Sequence, residues 1–371
     1  MSVDLSPIGQ VAAIGALVAG SALLWLRWRS RGANVLAALT VLTLFLTFDL
    51  ILFGAFTRLT DSGLGCPDWP GCYGHASPVG AHGQISTAQE AMPTGPVTHG
   101  KAWIEMLHRY LASGVGLLCL ALCGLSWWQH KKQGSKISPW WATLTFVWVC
   151  VQGAFGALTV TMKLFPAIVT LHLLLALGLL ALLAWQMAAF EEGRALRLSQ
   201  GLHRAAWLVF ALALAQIALG GWVSTNYAVL ACAEVPTCSA GQWWPDPDFR
   251  QGFELWRHLG QTADGGLLPF AALTAIHIAH RIGAAVLALA LLAFAWALFR
   301  AGQNMWARRL LLLLVWQIAS GLSNVVLGWP IVAALAHTGG AAMLVLMLSL
   351  LLARSHADRI AERIGARIPY A

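Results

Sequence analysis

Charge is what this sequence has least of. Only 10% of its 371 residues are Asp, Glu, Lys or Arg, against about 25% in a soluble domain. That scarcity excludes an ordinary soluble fold. The strict apolar–polar alternation of a transmembrane β-barrel is also missing, which removes that class. The first apolar stretch is too long, and too poor in cleavage-site features, to read as a secretory leader. What fills the chain instead is hydrophobic residues, 58% of the total. They fall in runs of about 20, the length that crosses a bilayer as a helix. Nine such runs are read at 8–26, 35–57, 105–128, 140–161, 166–189, 205–225, 270–299, 309–328 and 331–353.

The net charge of +8 is explained by topology rather than by nucleic acid. Segments Arg27–Arg31, Lys131–Lys136, Arg194–Arg204, Arg300–Arg309 and Arg354–Arg367 hold 16 of the 23 basic residues. All of them fall on one side of a nine-helix arrangement, and the positive-inside rule makes that side cytoplasmic. The N-terminus is then outside and the C-terminus inside. Two long loops, 58–104 and 226–269, face outward.

Seven cysteines are present. Cys119, Cys123 and Cys150 lie inside apolar runs, where a buried thiol behaves as a small hydrophobe. The other four lie in the outward loops, with five residues between the members of each pair: Cys66 with Cys72, and Cys232 with Cys238. An outward compartment is oxidising, so a disulfide in each loop is favoured. Zinc is the weaker alternative, because zinc pairs usually have two to four intervening residues.

The chain reads as an internal duplication. A shift of about 165 residues carries Gly54 onto Gly220, Cys66 onto Cys232, Cys72 onto Cys238, Gln152 onto Gln317 and His172 onto His337. A slightly larger shift carries His108 onto His280, with LHRYLASGVGLL set against AHRIGAAVLALA. Four helices per half is an even number, so the repeats are parallel, related by an axis along the membrane normal. The expected architecture is an all-α polytopic membrane protein of two parallel four-helix-bundle repeats plus one extra N-terminal transmembrane helix. Its segments are an anchor at 1–33, a first bundle at 34–200, a second bundle at 201–356 and a cytoplasmic tail at 357–371.

Each half places two histidines beneath the outer surface: His108 and His172, then His280 and His337. A histidine in a membrane helix is costly without a partner. Two at one depth on neighbouring helices of a bundle can grip a planar macrocycle, and heme iron takes axial histidines in an apolar pocket. Gly114, Gly116 and Gly283 would admit a flat ligand or, equally, a close helix. Arg109 and Arg281 each follow a first-helix histidine; either they meet heme propionates or they snorkel to the interface. Glu105 lies one helical turn before His108, while its counterpart is near His277, three residues before His280. An acid beside one ligand pair only makes the first site the candidate for chemistry and the second the candidate for electron transfer or structure. Spacing alone also allows Glu105 to be a first-turn acid at a positive helix end. His277 remains an alternative ligand. His75, His82, His99, His258, His130, His203 and His356 read as solvated loop residues.

The strings FTRLTDSGLGCPDWPGCYG, KAWIEMLHRYLASGVG and GGWVSTNYAVLAC, with AHRIGA and LAHTGG, resemble the heme A synthase family over about 34–353. The resemblance implies oxidation of a ring methyl of heme O to a formyl group, giving heme A for terminal oxidases, through an alcohol and a gem-diol that loses water. It implies a substrate heme held by His108 and His172, a heme b cofactor on His280 and His337, Glu105 as the catalytic acid, and Cys66–Cys72 as the first-loop pair. Cys232–Cys238 is a structural disulfide on this reading. The implied location is the bacterial inner (cytoplasmic) membrane. The implied partners are the lipid bilayer, a heme O synthase and an unidentified electron-transfer partner. A rival is a bis-histidine b-type cytochrome of membrane electron transfer, which gives Glu105 no task. A transporter of parallel repeats is more distant, since the polar groups sit near the outer surface and the helix centres are rich in Leu and Ala.

Overall fold

The computed structural model describes residues 6–29, 34–133, 138–190 and 196–363. Arg31, Lys136, Arg194 and Arg367, which entered the charge argument, lie outside the described residues. Eleven helices, and no named strand, are found among them. They are α1 (Ser6–Arg29), α2 (Val35–Leu59), α3 (His82–Ala91), α4 (His99–Gln133), α5 (Pro139–Thr161), α6 (Pro166–Phe190), α7 (Gln200–Thr225), α8 (Phe249–Gly252), α9 (Phe270–Arg300), α10 (Asn304–Val326) and α11 (Ile331–Arg363). Eight of these, α2, α4, α5, α6, α7, α9, α10 and α11, are long and apolar enough to cross a membrane. The apolar stretch of α1 is shorter, Gly9–Ser21.

Local chemistry sets the helix ends. The Asn34 side chain accepts the Leu36 amide at 3.1 Å and caps α2, and Ser199 accepts the Leu202 amide at 3.3 Å at the start of α7. Pro139 opens α5, where its missing N–H costs nothing. Inside α2 the buried hydroxyls of Thr40, Thr43 and Thr47 each bond a carbonyl one turn back, at 2.8, 2.8 and 2.7 Å. That is how a polar side chain is tolerated where no water can serve it.

The chain forms two compact units, Met1–Leu164 with Gly178–Met187, and Phe165–Leu177 with Ala188–Ala371. In the first unit α4 is the central post, packed by α1, α2 and α5. Gly15 of α1 lets that helix cross α4 closely: a Cβ there would meet Ser113 Cβ at 2.6 Å, and one on Gly114 would meet Val18 at 3.0 Å. Gly114 therefore serves helix packing. In the second unit α7, α9, α10 and α11 form a ring in which each packs on the next and α11 returns to α7. Gly283 of α9 faces Gln216 and Leu219 of α7, so it too is a packing glycine.

Both disulfides are formed, Cys66–Cys72 and Cys232–Cys238, with all four cysteines 2% exposed or less. Cys119, Cys123 and Cys150 carry free thiols on α4 and α5. The first disulfide sits in a small core with Val11, Ala76, Ile85, Ala102, Met106 and Tyr110. The N-terminal helix thus helps to cover the first loop.

Candidate functional site

The first loop is fastened to α4 by an ion pair. Glu105 and Arg109, one turn apart, form a salt bridge with both side chains under 10% exposed. The other Glu105 oxygen, Oε2, accepts the Cys66 amide at 2.8 Å. Arg109 Nη1 donates to the carbonyls of Asp68 at 2.9 Å, Pro70 at 3.2 Å and Gly71. Tyr110 Oη donates to the Ala76 carbonyl at 2.6 Å. The loop's own turn is held by Asp68, whose carboxylate accepts the amides of Tyr73 and Gly74 at 2.6 and 2.7 Å. Gly74 has φ +74°, a conformation that glycine takes without strain.

The second loop is fastened to α9 by the same frame. The Cys232 amide donates to His277 Nδ1 at 3.2 Å, where Cys66 donates to Glu105. Arg281 donates to the carbonyls of Thr237, Cys232 and Glu234 at 2.8, 2.8 and 2.9 Å. Glu234 takes the part of Asp68 and accepts the amides of Ala240 and Gly241 at 3.0 and 2.9 Å. These bonds hold the exposed Glu234 carboxyl below the usual glutamate range; the Gly241 amide and the Thr237 hydroxyl act most strongly. Both arginines are therefore engaged by loop carbonyls, a role that neither the propionate nor the snorkelling reading contained. His277, the alternative ligand, is committed through Nδ1 to a loop amide and is 4% exposed.

The candidate ligands lie on other faces of the same helices. His108 rests against α2: its ring stacks on Phe53 at 6.0 Å, and a Cβ on Gly54 would stand 3.1 Å from Nε2. His280 rests against α7 in the same manner, with a Cβ on Gly220 reaching 3.1 Å from Cε1. His337 of α11 meets Gly321 of α10, again at 3.1 Å. A glycine at each of these contacts lets an imidazole lie against helix backbone. All four histidines keep intermediate exposure rather than being sealed in a core. His172 lies in the part of α6 that belongs to the second unit.

Side chains hold the second pair. The Gln216 amide nitrogen is 2.9 Å from His280 Nδ1, and Ser320 Oγ is 3.1 Å from His337 Nδ1. Gln317 donates to the His337 carbonyl at 3.0 Å. Ser320 Oγ can accept the His337 Nδ1–H and so leaves Nε2 for a metal, the arrangement in which neighbours orient ligating histidines. At His280 the Gln216 amide nitrogen donates to Nδ1, and Nε2 is left for a metal when that amide is turned to present Oε1, which has no other partner. No cluster of three or more His, Cys, Asp or Glu fit for a bare metal ion occurs among the described residues; an axial pair on a heme needs only two.

Sequence reading missed Gln216 and Ser320. Their signal was present: each is a polar residue in an apolar span, within one turn of the glycine that faces its histidine. The reading of seven solvated loop histidines is corrected for those on helices: His99 opens α4, half-buried with Nε2 3.0 Å from Ser86 Oγ, and His82, His130 and His356 are exposed on α3, α4 and α11. His203 is not a solvated loop residue but lies on α7, 9% exposed, with Nδ1 2.9 Å from Ser355 Oγ and Nε2 accepting the Trp207 indole N–H at 3.2 Å. Ring nitrogens that bond within the fold need no water.

Comparison with known proteins is consistent across most of the chain. The COX15-CtaA family model, described as cytochrome oxidase assembly protein, matches residues 37–349. The heme A synthase of Shewanella oneidensis is 40% identical over 313 residues, 83% of this chain and 92% of that protein. The heme A synthase of Halalkalibacterium halodurans is 27% identical over 299 residues, 78% of this chain and 86% of that protein. The heme A synthase of Rhizorhabdus wittichii is 27% identical over 346 residues, 87% and 94% respectively.

Proposed function

The chain belongs to the COX15-CtaA family of cytochrome oxidase assembly proteins, and from that membership we infer that it is a heme A synthase, a multi-pass membrane oxidoreductase that converts heme O to heme A. The chemistry is the successive oxidation of one ring methyl through an alcohol to a gem-diol, which loses water to leave the formyl group.

Within that activity we assign His280 and His337 as the axial ligands of a heme b cofactor. The observation that carries this assignment is the pair of imidazoles set against Gly220 and Gly321 with Nδ1 held by Gln216 and Ser320. Two imidazoles, each with a polar side chain at Nδ1, are a donor set that suits a bis-histidine heme. Bound there, heme b would supply the electron-transfer capacity that no side chain has. The substrate's iron is assigned to His108 and His172, the pair that the sequence offers. Glu105 is assigned as the carboxylate beside the reacting methyl, where it would stabilise developing positive charge or accept a proton. Arg109 balances its charge and orients it.

The first bundle is then the substrate half and the second the heme b half. Basic segments on one side of the spans support a bacterial inner-membrane topology with the N-terminus outside and the C-terminus cytoplasmic. A disulfide in each outward loop agrees with an oxidising exterior. Heme O synthase is the expected donor of the insoluble substrate, and an electron-transfer partner completes the reaction.

The test is pigment analysis. Expressed with a source of heme O, the full chain should yield heme A on extraction. Recovery of hemes B and O alone would turn the reading to an electron-carrying b-type cytochrome. Replacing His280 or His337 with Ala should abolish the heme b spectrum of the purified protein, whereas His108→Ala should spare it and stop product formation.

A further inference from the structure

One buried cation has no task in the assignments above. Arg257, between α8 and α9, is 2% exposed and heads the largest fully buried side chains. Its Nη2 donates to Asn226 Oδ1 at 2.6 Å and its Nη1 to the Gln261 carbonyl at 3.4 Å. The guanidinium lies 5.6 Å over the Trp222 ring. That ring is itself fixed, because its indole N–H donates to the Gly252 carbonyl at 2.9 Å. Arg257 Nε is enclosed and has no hydrogen-bond partner. Among the described residues no carboxylate stands within ion-pair distance of it.

An arginine stays charged even where burial lowers its proton affinity, as it does here against a longer-range pull from Glu254. A cation taken out of water without an anion is strongly disfavoured. The frame that holds the guanidinium, an amide oxygen, a carbonyl and an aromatic face, supplies neutral groups only. The missing component is an anion that the chain does not provide.

Position indicates which anion. Asn226 follows Gly220 by six residues, about 9 Å of helix at 1.5 Å per residue. Gly220 marks the level of the His280 ring. Arg257 thus lies toward the end of α7, displaced from the ligand level by roughly the span between a porphyrin's metal and its carboxylate edge. Arg281, on which the sequence placed this role, has its Nη groups on three loop carbonyls.

We propose that Arg257, fixed by Asn226 and stacked on Trp222, binds a propionate carboxylate of the heme held by His280 and His337. The proposal rests on that ligand assignment. It makes Arg257 a cofactor-binding residue that orients the porphyrin in its plane, a task that the two axial nitrogens cannot perform because rotation about the iron–nitrogen axis leaves them unchanged. The same anion chemistry could be met by a lipid phosphate, which the experiment separates.

Full-length protein produced in a heme-deficient host is titrated with hemin and with hemin dimethyl ester, which lacks free carboxylates, and binding is followed by Soret absorbance. Wild type should bind the diester about ten- to a hundredfold more weakly, the worth of one charge-assisted hydrogen bond. Arg257→Leu and Arg257→Gln should weaken hemin by a similar factor and show little further loss with the diester. Equal losses of both ligands in the variants, or strictly multiplicative losses, would mean that Arg257 only supports the loop, and the proposal fails. A lipid-phosphate site would leave the hemin-to-diester ratio unchanged on substitution, which also overturns it. The wild-type arm needs no variant, so tight diester binding refutes the idea even if Arg257→Leu does not fold. If the ligand assignment is itself wrong, His280→Ala will bind hemin like wild type, a separate result.

Discussion

Removing the Glu105 carboxylate should release the first loop before it affects anything else. Both charges of the Glu105–Arg109 pair are buried, at 3% and 9% exposure, and Glu105 also takes the Cys66 amide. Truncating one partner of a buried ion pair typically costs about 3–5 kcal/mol, because the survivor keeps its desolvation penalty. Here the survivor still has three carbonyl acceptors on Nη1, which places Glu105→Ala at the low end, about 3 kcal/mol. Glu105→Gln keeps an acceptor for Cys66 and loses only the charge, at about 1.5 kcal/mol. Hydrogen exchange reads this locally: protection at the Cys66 amide should fall about a hundredfold in the Ala variant and about tenfold in the Gln variant. A double-mutant cycle with Arg109→Met should show the paired substitution costing less than the sum of the two single ones. Wild-type protection at Cys66 in Glu105→Ala, or a coupling near zero, would refute the idea that this pair fastens the loop. Heme A yield is measured beside it. A Gln variant that keeps its loop and still loses product places Glu105 in the reaction as well as in the scaffold.

Other outcomes follow from the same geometry. Gly220→Ala and Gly321→Ala gain about 1 kcal/mol of helix propensity each but bring a Cβ to 3.1 Å from a histidine ring. Thermal unfolding should therefore hold or rise while pyridine-hemochrome heme content falls; full heme occupancy would count against these rings as ligands. Replacing Cys66 and Cys72 together with Ser removes a cross-link of sequence separation 6 and should cost about 2 kcal/mol by loop-closure entropy, read by denaturant unfolding in micelles. No shift in midpoint would mean that the Arg109 carbonyl contacts alone fix the loop. Glu234 is held below its ordinary range by the Gly241 amide first and the Thr237 hydroxyl next. A depressed carboxylate stabilises the fold above its unfolded pKa and loses that contribution as pH falls through the lower folded value. Protection of the Ala240 and Gly241 amides, relative to their intrinsic exchange at each pH, should fall over that acidic window in wild type and stay level in Glu234→Gln; level wild-type protection would contradict this.

Eight of the nine spans read were legible because hydropathy records them directly, whereas the first, 8–26, has only the shorter apolar stretch Gly9–Ser21. The disulfides were legible because each pair repeats at one spacing in a loop assigned to an oxidising side. Helix ends were less so. The run read at 105–128 is the middle of α4, which begins at His99. The extra residues before the run, 99–104, carry Lys101, and packing of the first loop on Ala102 and the neighbouring Met106 stabilises them, not lipid. α3 and α8 were invisible for the same reason, being short elements of loops whose residues carry no membrane signal. The partners of Arg109 and Arg281 could not be read at all. They are backbone carbonyls, which every residue possesses, so no residue type marks where they converge. Arg257 likewise reads as one more loop arginine until the fold encloses it.

What the sequence did place correctly is the counterpart of Glu105, and the contact geometry gives that correspondence its meaning. Glu105 and His277 each stand three residues before a candidate ligand and four before an arginine, and each accepts the amide of the first cysteine of a disulfide. The scaffolding task is therefore common to both, and a carboxylate is not required for it, since an imidazole nitrogen suffices. What the carboxylate adds is a second oxygen and a negative charge. The second oxygen reaches Arg109, so the first frame pairs its arginine with an acid, whereas Arg281 is held by carbonyls alone. A group retained only to hold a loop has no need of that second function. The surplus at Glu105 is a proton-accepting site with its charge already balanced, placed one turn from His108, and the half built around His277 has no equivalent. On the proposed assignment of a substrate half and a heme b half, the difference between them comes down to the side chain at this single position of the frame, Glu105 against His277.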